Sequence, residues 1–236
     1  MAHDYLIEEA TSTDAEAIAN LFGLSWISPL SRLMFGDGGA QALTSAMGPQ
    51  IARQMTKLNM LYLVARDSVT QDVVAVAQWT LPVEDSSGTS ESQQNQGERQ
   101  ELDDEIFAKN LPSGSNIEVV MDFTVGLRTL EQQLLEGEKH YSLDNLATHP
   151  EHRGQGLASR LIKWVLQRAD EERTLVYLET GSENAARRMY ERLGFKERGV
   201  YVMDDLGRFA SKERLEACGG LTAHRHVAFV RDVAME

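Results

Sequence analysis

Leu143-Asp-Asn-Leu-Ala-Thr-His-Pro-Glu-His-Arg-Gly-Gln-Gly-Leu-Ala158 is the stretch on which the reading turns. Its first half is strand-like and ends at His149-Pro150, because the residue before a proline is held in extended backbone. Its second half, Arg153-Gly-Gln-Gly-Leu-Ala158, opens a long amphipathic helix. A helix start leaves its first N–H groups without intrahelical partners, and glycines let that backbone crowd around one point. Together with the positive end of the helix dipole, such a turn suits an anion, and a pyrophosphate in particular.

Two rival phosphate motifs fail on the same residues. A P-loop needs Gly-Lys-Ser/Thr at the helix start, and the chain has no such tripeptide. A dinucleotide fingerprint needs a third glycine, whereas Gly154-x-Gly156-x-x-Ser159 ends in serine. That fingerprint also follows its strand directly, and here His149-Pro-Glu-His intervenes. A Rossmann oxidoreductase is therefore the weaker alternative.

Outward from the motif, hydrophobic periodicity predicts a strand over residues 141–148 and a helix over 157–169, with Leu157, Leu161, Val165 and Ala169 on one face. Residues 174–180 read as another strand, 184–193 as a helix ended by Gly194, and 195–202 and 227–233 as closing strands. Toward the N-terminus, 5–10 is a strand. A helix then runs over 14–22, with Thr13 or Ser12 as its cap and Glu16 in capping-box position for Thr13. Residues 59–66 and 73–80 form an antiparallel pair around a turn at 67–72, and 117–138 carries apolar residues at helical spacing. Residues 84–105 hold eight acidic residues against Arg99 as their only base, the composition of a flexible acidic insertion. Trp26, Trp79 and Trp164 read as core anchors.

The 236 residues suit one domain with insertions, and 42% hydrophobic residues suffice for a sizeable core. A formal net charge of −13 argues against nucleic acid as a partner, since phosphate neutralisation needs clustered Lys and Arg. One cysteine, Cys218, excludes an intrachain disulfide framework and a multi-thiolate zinc site, so no metal is expected. No apolar run reaches the roughly 20 residues of a membrane span, and the start has no signal-peptide pattern. The expectation is a cytoplasmic protein.

About thirty residues beyond the glycine loop comes Tyr190-Glu-Arg-Leu-Gly-Phe195. The two motifs, in this order and separation, resemble the GNAT superfamily of N-acetyltransferases, with the likeness spanning residues 141–202. The resemblance implies an α/β fold over residues 1–236, with a mixed, mostly antiparallel central sheet, helices on both faces, and two parallel strands splayed at the CoA site. It implies acetyl-CoA as cosubstrate. Arg153, Gly156 and Ala158 occupy the family's Gln/Arg-x-x-Gly-x-Gly/Ala signature, and Gly154, Gln155, Leu157 and Ser159 would add amides or a hydroxyl. Leu146, Ala147 and Thr148 would pair by backbone with the pantetheine arm. The family commonly has Asn seven residues before the tyrosine, where this chain has Glu183; Asn184, six before, is the candidate instead.

Tyr190 matches the family's general acid, a phenol that protonates the departing thiolate. An alkyl ammonium has a pKa of about 10, so a group or water chain must take its proton before it attacks. Asp144 and Glu179 stand where relatives carry that base, and each equally suits a structural hydrogen-bond acceptor. The function implied is acetyl transfer to a primary amine, on a small molecule or a peptide, by direct attack in a ternary complex. A CoA-binding regulatory module without turnover is the alternative.

Overall fold

The computed structural model describes residues 4–36, 39–82 and 93–233. Seven strands form one sheet: β1 (Tyr5–Glu9), β2 (Met60–Asp67), β3 (Val73–Thr80), β4 (His140–Thr148), β5 (Leu175–Gly181), β6 (Lys196–Met203) and β7 (His224–Arg231), in the order β1-β2-β3-β4-β5-β7-β6. Every neighbouring pair is antiparallel except β4 and β5. The expected α/β sheet with one parallel pair is thus present.

Alternation along the strands divides the core between the two faces. Leu61, Leu63, Ala75, Ala77, Tyr141, Leu143, Val176, Leu178 and Phe229 point to the face covered by α6 (Leu157–Glu171) and α7 (Arg187–Arg192). The residues between them point the other way. Tyr62, Val64, Val76 and Ala147 meet α1 (Ala15–Ser25) and α3 (Gly39–Gln54), while Tyr177, Ala228 and Val230 meet α5 (Ile117–Leu135). Helix α6 buries Leu157, Leu161, Ile162, Val165, Leu166 and Ala169, as its periodicity predicts. Trp164 falls off that stripe and is 39% exposed, so it is not the core anchor its size suggests. Trp79 is fully buried.

Helix α5 descends onto β6 through two small residues. A Cβ on Gly126 would stand 2.1 Å from the Tyr201 ring, and one on Gly199 would stand 2.9 Å from Leu130. Glycine at both positions lets helix and strand approach closely, and the Tyr201 hydroxyl then donates to Asp122 Oδ2 at 2.6 Å.

Several local expectations need correction. The capping box ahead of α1 is Thr11 with Asp14, not Thr13 with Glu16: Thr11 N–H donates to Asp14 Oδ2 at 2.8 Å, and a single 3-10 turn precedes the helix. Asp14 is held there because it also takes Arg66 Nη2 at 2.9 Å. Of the expected acidic insertion, residues 84–92 include none that is described, but Gln93–Lys109 forms helix α4. Arg128 of α5 anchors α4 by donating to both oxygens of Asp104, at 2.7 and 2.6 Å. Three helices went unread in the sequence: α2 (Pro29–Phe35), α3 and α8 (Lys212–Ala217). Helices α2 and α8 are short, and each is started by a serine cap, Ser28 and Ser211.

Candidate active site

The site is organised by a place where the sheet stops being continuous. β4 and β5 pair only from His140–Leu175 to Leu143–Leu178. Past that point β4 keeps its bonds to β3, from Asn145–Gln78 to Thr148–Ala75, and β5 keeps its bonds to β7. Among the described residues no strand pairs with the β5-facing edge of β4 beyond Leu143. Leu146, Ala147 and Thr148 therefore border a V-shaped gap with one row of backbone N–H and C=O groups turned into it. An extended ligand can add to such an edge as a further strand.

The register of β4 shifts beside this gap. Leu143 faces Trp79 and Asn145 faces Gln78, which leaves Asp144 as the extra residue of a bulge. The bulge turns Asp144 to the α1 and α5 side of the sheet, where Thr80 Oγ1 donates to Asp144 Oδ2 at 2.7 Å. Asp144 is exposed to solvent along the gap, while protein atoms crowd its carboxyl. That crowding pushes its carboxyl up to about 6, against hydrogen bonds from Thr80 and Ser142 that pull it down. Glu179 stands across the gap on β5. Burial pushes it up to about 7, opposed by a short hydrogen bond from the Tyr177 hydroxyl and reinforced by the charges of Glu131 and Asp144.

Tyr190 lies on the other face, as the buried residue of α7. It is 5% exposed and packs against Phe195 and Phe229, with ring centroids 6.1 and 6.2 Å away. Burial pushes its phenol up to about 12, so the hydroxyl keeps its proton near neutral pH. That hydroxyl has no hydrogen-bond partner among the described residues. Phe229 pairs in register with Leu178, the last β5 residue joined to β4, which places Tyr190 on the α6 side near the opening of the V.

The glycine loop lies at the far end of β4. A 3-10 turn, Pro150–His152, leads into Arg153, and α6 begins after Gly156. Gly154 and Gly156 have φ of 77° and 75°, a left-handed backbone that favours glycine, and Gly156 is the N-cap. A Cβ on either would meet nothing within 4 Å, so both line open space. The first helical bond runs from Arg160 N–H to Gly156 O at 3.1 Å, and the amides of Leu157, Ala158 and Ser159 precede it. Residues of this kind, open glycine backbone ahead of free amides at a helix start, fit a pyrophosphate. Arg153 Nε donates to Thr148 O at 3.2 Å, joining the loop to the end of β4. His152 and His149 hold the loop from below: the Tyr5 hydroxyl meets His152 Nδ1 at 3.0 Å, and His149 N–H donates to Val74 O at 2.8 Å.

Asn184 lies in the turn before α7 rather than within it. Its Nδ2 donates to Thr180 Oγ1 at 2.8 Å, and its Oδ1 accepts from Ala186 N–H at 2.9 Å. The carboxamide thus shapes the turn between β5 and α7.

One group at the site escaped the sequence reading. Glu131 and His140 join at 2.9 Å on the same face as Glu179. Glu131 lies on α5 and His140 begins β4, so only the docking of α5 brings them beside the carboxylates. Among the described residues no three His, Cys, Asp or Glu are arranged to hold a metal, and no helix is long and apolar enough to cross a membrane.

Residues 122–195 match the acetyltransferase (GNAT) family. N-acetyltransferase 8F1 of Mus musculus is 40% identical over 76 residues, a match covering 31% of this chain and 34% of that protein. The match thus spans about a third of that relative's length. Among solved structures, a Drosophila melanogaster polyamine N-acetyltransferase that forms N-acetylagmatine aligns with a TM-score of 0.58 at 14% identity, covering 98% of this chain and 100% of that one. A histone acetyltransferase HPA2 and related acetyltransferase from Corynebacterium glutamicum aligns at 0.56 and 20% identity, covering 100% and 99%. At such identities the likeness is one of fold. Residues 122–195 thus carry the match to the GNAT acetyltransferase family, and the fold around them is that of solved acetyltransferases.

Proposed function

We propose that the protein transfers an acetyl group from acetyl-CoA to a primary amine by direct attack within a ternary complex. The observation that carries this reading is the V between β4 and β5, with a carboxylate on each arm, a phenol on the opposite face and a glycine loop at its end. In it, the amides from Gly154 to Ser159 hold the pyrophosphate, and the free edge of Leu146, Ala147 and Thr148 pairs with the pantetheine arm. Arg153 adds positive charge at the loop. Acetyl-CoA supplies an acetyl group activated as a thioester. Asn184 holds the turn that borders the site.

The acceptor approaches from the face that carries Asp144 and Glu179. A carboxylate with its pKa near 6 or 7 is partly ionised at neutral pH and is a stronger base than an ordinary carboxylate, so it can relay the proton of a bound ammonium, whose pKa is about 10, to solvent. The amine nitrogen bonds to the thioester carbonyl carbon, the carbon–sulfur bond breaks, and the sulfur leaves as thiolate. Tyr190 protonates it from the opposite face and regains a proton through solvent from the nitrogen, which sheds its second proton as the amide forms. Two groups whose environments set them as base and acid thus stand on either side of the reacting bond.

Acetyl-CoA and CoA should each raise the melting temperature, by mass action on the native state, while NADH should not. An amine panel spanning small polyamines and peptide N-termini, read by thiol release, then tests transfer. A shift with NADH and none with either CoA species would overturn the reading in favour of a dinucleotide enzyme. Binding without transfer to any amine would leave a CoA-binding module.

A further inference from the structure

The ring of His140 has acceptors at both nitrogens. Its Nδ1 lies 2.8 Å from the Glu138 carbonyl oxygen, and its Nε2 lies 2.9 Å from Glu131 Oε1. A carbonyl oxygen can only accept, so Nδ1 carries a hydrogen. Nε2 faces a carboxylate oxygen, so the protonated ring donates from both nitrogens and forms an ion pair with Glu131. Both partners are half-buried, at 24% and 30% side-chain exposure. Burial pushes the imidazole down, but Glu131 and the Glu138 carbonyl outweigh it and raise the ring above its ordinary value.

This pair shares a face with both candidate bases. His140 and Ser142 alternate along β4, and Ser142 is in register with Tyr177, whose hydroxyl donates to Glu179. The His140 and Tyr177 rings meet edge-on with centroids 6.1 Å apart. Asp144 lies four residues along β4 from His140, roughly 13 Å if fully extended and less across the bulge. The charge of Glu131 reaches Asp144, Tyr177 and Glu179, and that of His140 reaches Asp144. From β2, Tyr62 also faces Asp144, and His224 and His226 of β7 face Phe123 toward the start of α5.

We infer that Glu131 and His140 are positioning residues, an ion pair whose two charges face Asp144 and Glu179 from α5 and from the start of β4 and govern their ionisation. The inference rests on the acetyltransferase reading for its catalytic meaning, although the pair itself is a property of the resting protein. Glu131 enters through α5, which the chain inserts between β3 and β4, two strands that are direct neighbours in the sheet. Its negative charge discourages ionisation of the bases, and the protonated ring beside it offsets that effect at Asp144. Loss of one partner leaves the other's influence uncompensated.

The two substitutions therefore act in opposite directions. Carboxyl titration by 13C NMR, on the folded protein without ligand, should show the Asp144 and Glu179 midpoints falling in Glu131→Gln, by about 0.5 pH unit or more. In His140→Gln the Asp144 midpoint should rise. The His140 ring should itself titrate lower in Glu131→Gln. Circular dichroism verifies the fold of each variant, and Glu131→Asp, which retains the charge, should shift the carboxylates less than Glu131→Gln. In turnover on an accepted amine, the acidic limb of kcat/KM should move with the carboxylate midpoints. Unmoved midpoints, or shifts of the same sign in both variants, would overturn the pair. Absence of acetyl transfer by the wild type would overturn the acetyltransferase reading instead, and the titration would still decide the pair.

Discussion

Asp144 and Glu179 are the first residues of β4 and β5 beyond the last pair the two strands make, Leu143 with Leu178. The sheet thus opens between two carboxylates, and each is pushed up toward neutrality, to about 6 and about 7. If one of them takes the acceptor's proton, Asp144→Asn or Glu179→Gln should lower kcat/KM on the order of 100-fold for the residue that serves. The wild-type profile should lose activity below a midpoint between about 6 and 7, and the variant lacking the base should lose that limb. A variant that keeps both rate and limb identifies its residue as a structural acceptor.

The same shifts predict how stability changes with pH. Glu179 binds its proton more tightly folded than unfolded, so between the ordinary carboxyl value and about 7 the native state holds more protons. Stability contributed by this group is complete below the unfolded pKa and is lost as pH rises through the folded one. Glu179→Gln should therefore be more stable than wild type at pH 8, relative to the difference between them at pH 4. Urea unfolding at the two pH values measures this, and a wild-type advantage that grows toward pH 8 would contradict it.

How far the sequence was legible follows from which contacts are local. The α6 stripe, the alternation of β2 and β3 and the glycine loop are set by residues near one another in the chain, and they were read from it. The capping box moved from Thr13 to Thr11 because Asp14 also answers Arg66, 52 residues away. Helix α2 is marked by Ser28-Pro29 and by the spacing of Leu30, Leu33 and Met34, a signal of only seven residues that went unread. Glu131 was hidden because its surroundings, like those of Asp14, are distant in the chain. Its role depends on where α5 docks, and that is decided by the fit of Gly126 and Gly199 against side chains of a partner element. Beside Leu130 and Leu134, which pack on the sheet, a charge at 131 marks the flank of the buried stripe and nothing more.

That docking can be tested directly. In Gly126→Ala the new methyl would stand 2.1 Å from the Tyr201 ring, which its hydroxyl bonds to Asp122 hold in place. Alanine is the better helix former by about 1 kcal/mol, but overpacking costs typically 1–3 kcal/mol. Net destabilisation is expected, and Tyr201→Ala in the same chain should relieve part of it, a non-additivity that a double-mutant cycle detects. Simple additivity of the two would show that α5 and β6 do not depend on this contact.

The pyrophosphate assignment stands or falls on Gly156. Its φ of 75° and the open space around it favour glycine, and a glutamate there brings strain and a negative charge to the anion's approach. Gly156→Glu should lose CoA binding by calorimetry while circular dichroism shows an intact fold. A folded variant that binds CoA as well as wild type would remove the loop from the site.

Tyr190→Phe removes one oxygen and leaves the ring against Phe195 and Phe229. The hydroxyl has no partner among the described residues, so little folded stability should go with it. If it protonates the leaving thiolate, turnover should fall on the order of 100-fold, with acetyl-CoA affinity nearly unchanged, because the interaction matters mainly in the transition state. Burial that raises the phenol to about 12 keeps it a donor up to high pH, so the basic limb of the wild-type profile should lie well above neutrality. The measurement needs an accepted amine, since slow hydrolysis of acetyl-CoA need not share the same limiting step. Turnover equal to wild type on that amine would take Tyr190 out of the mechanism, and thiolate departure would then depend on water or on the amides that surround the thioester.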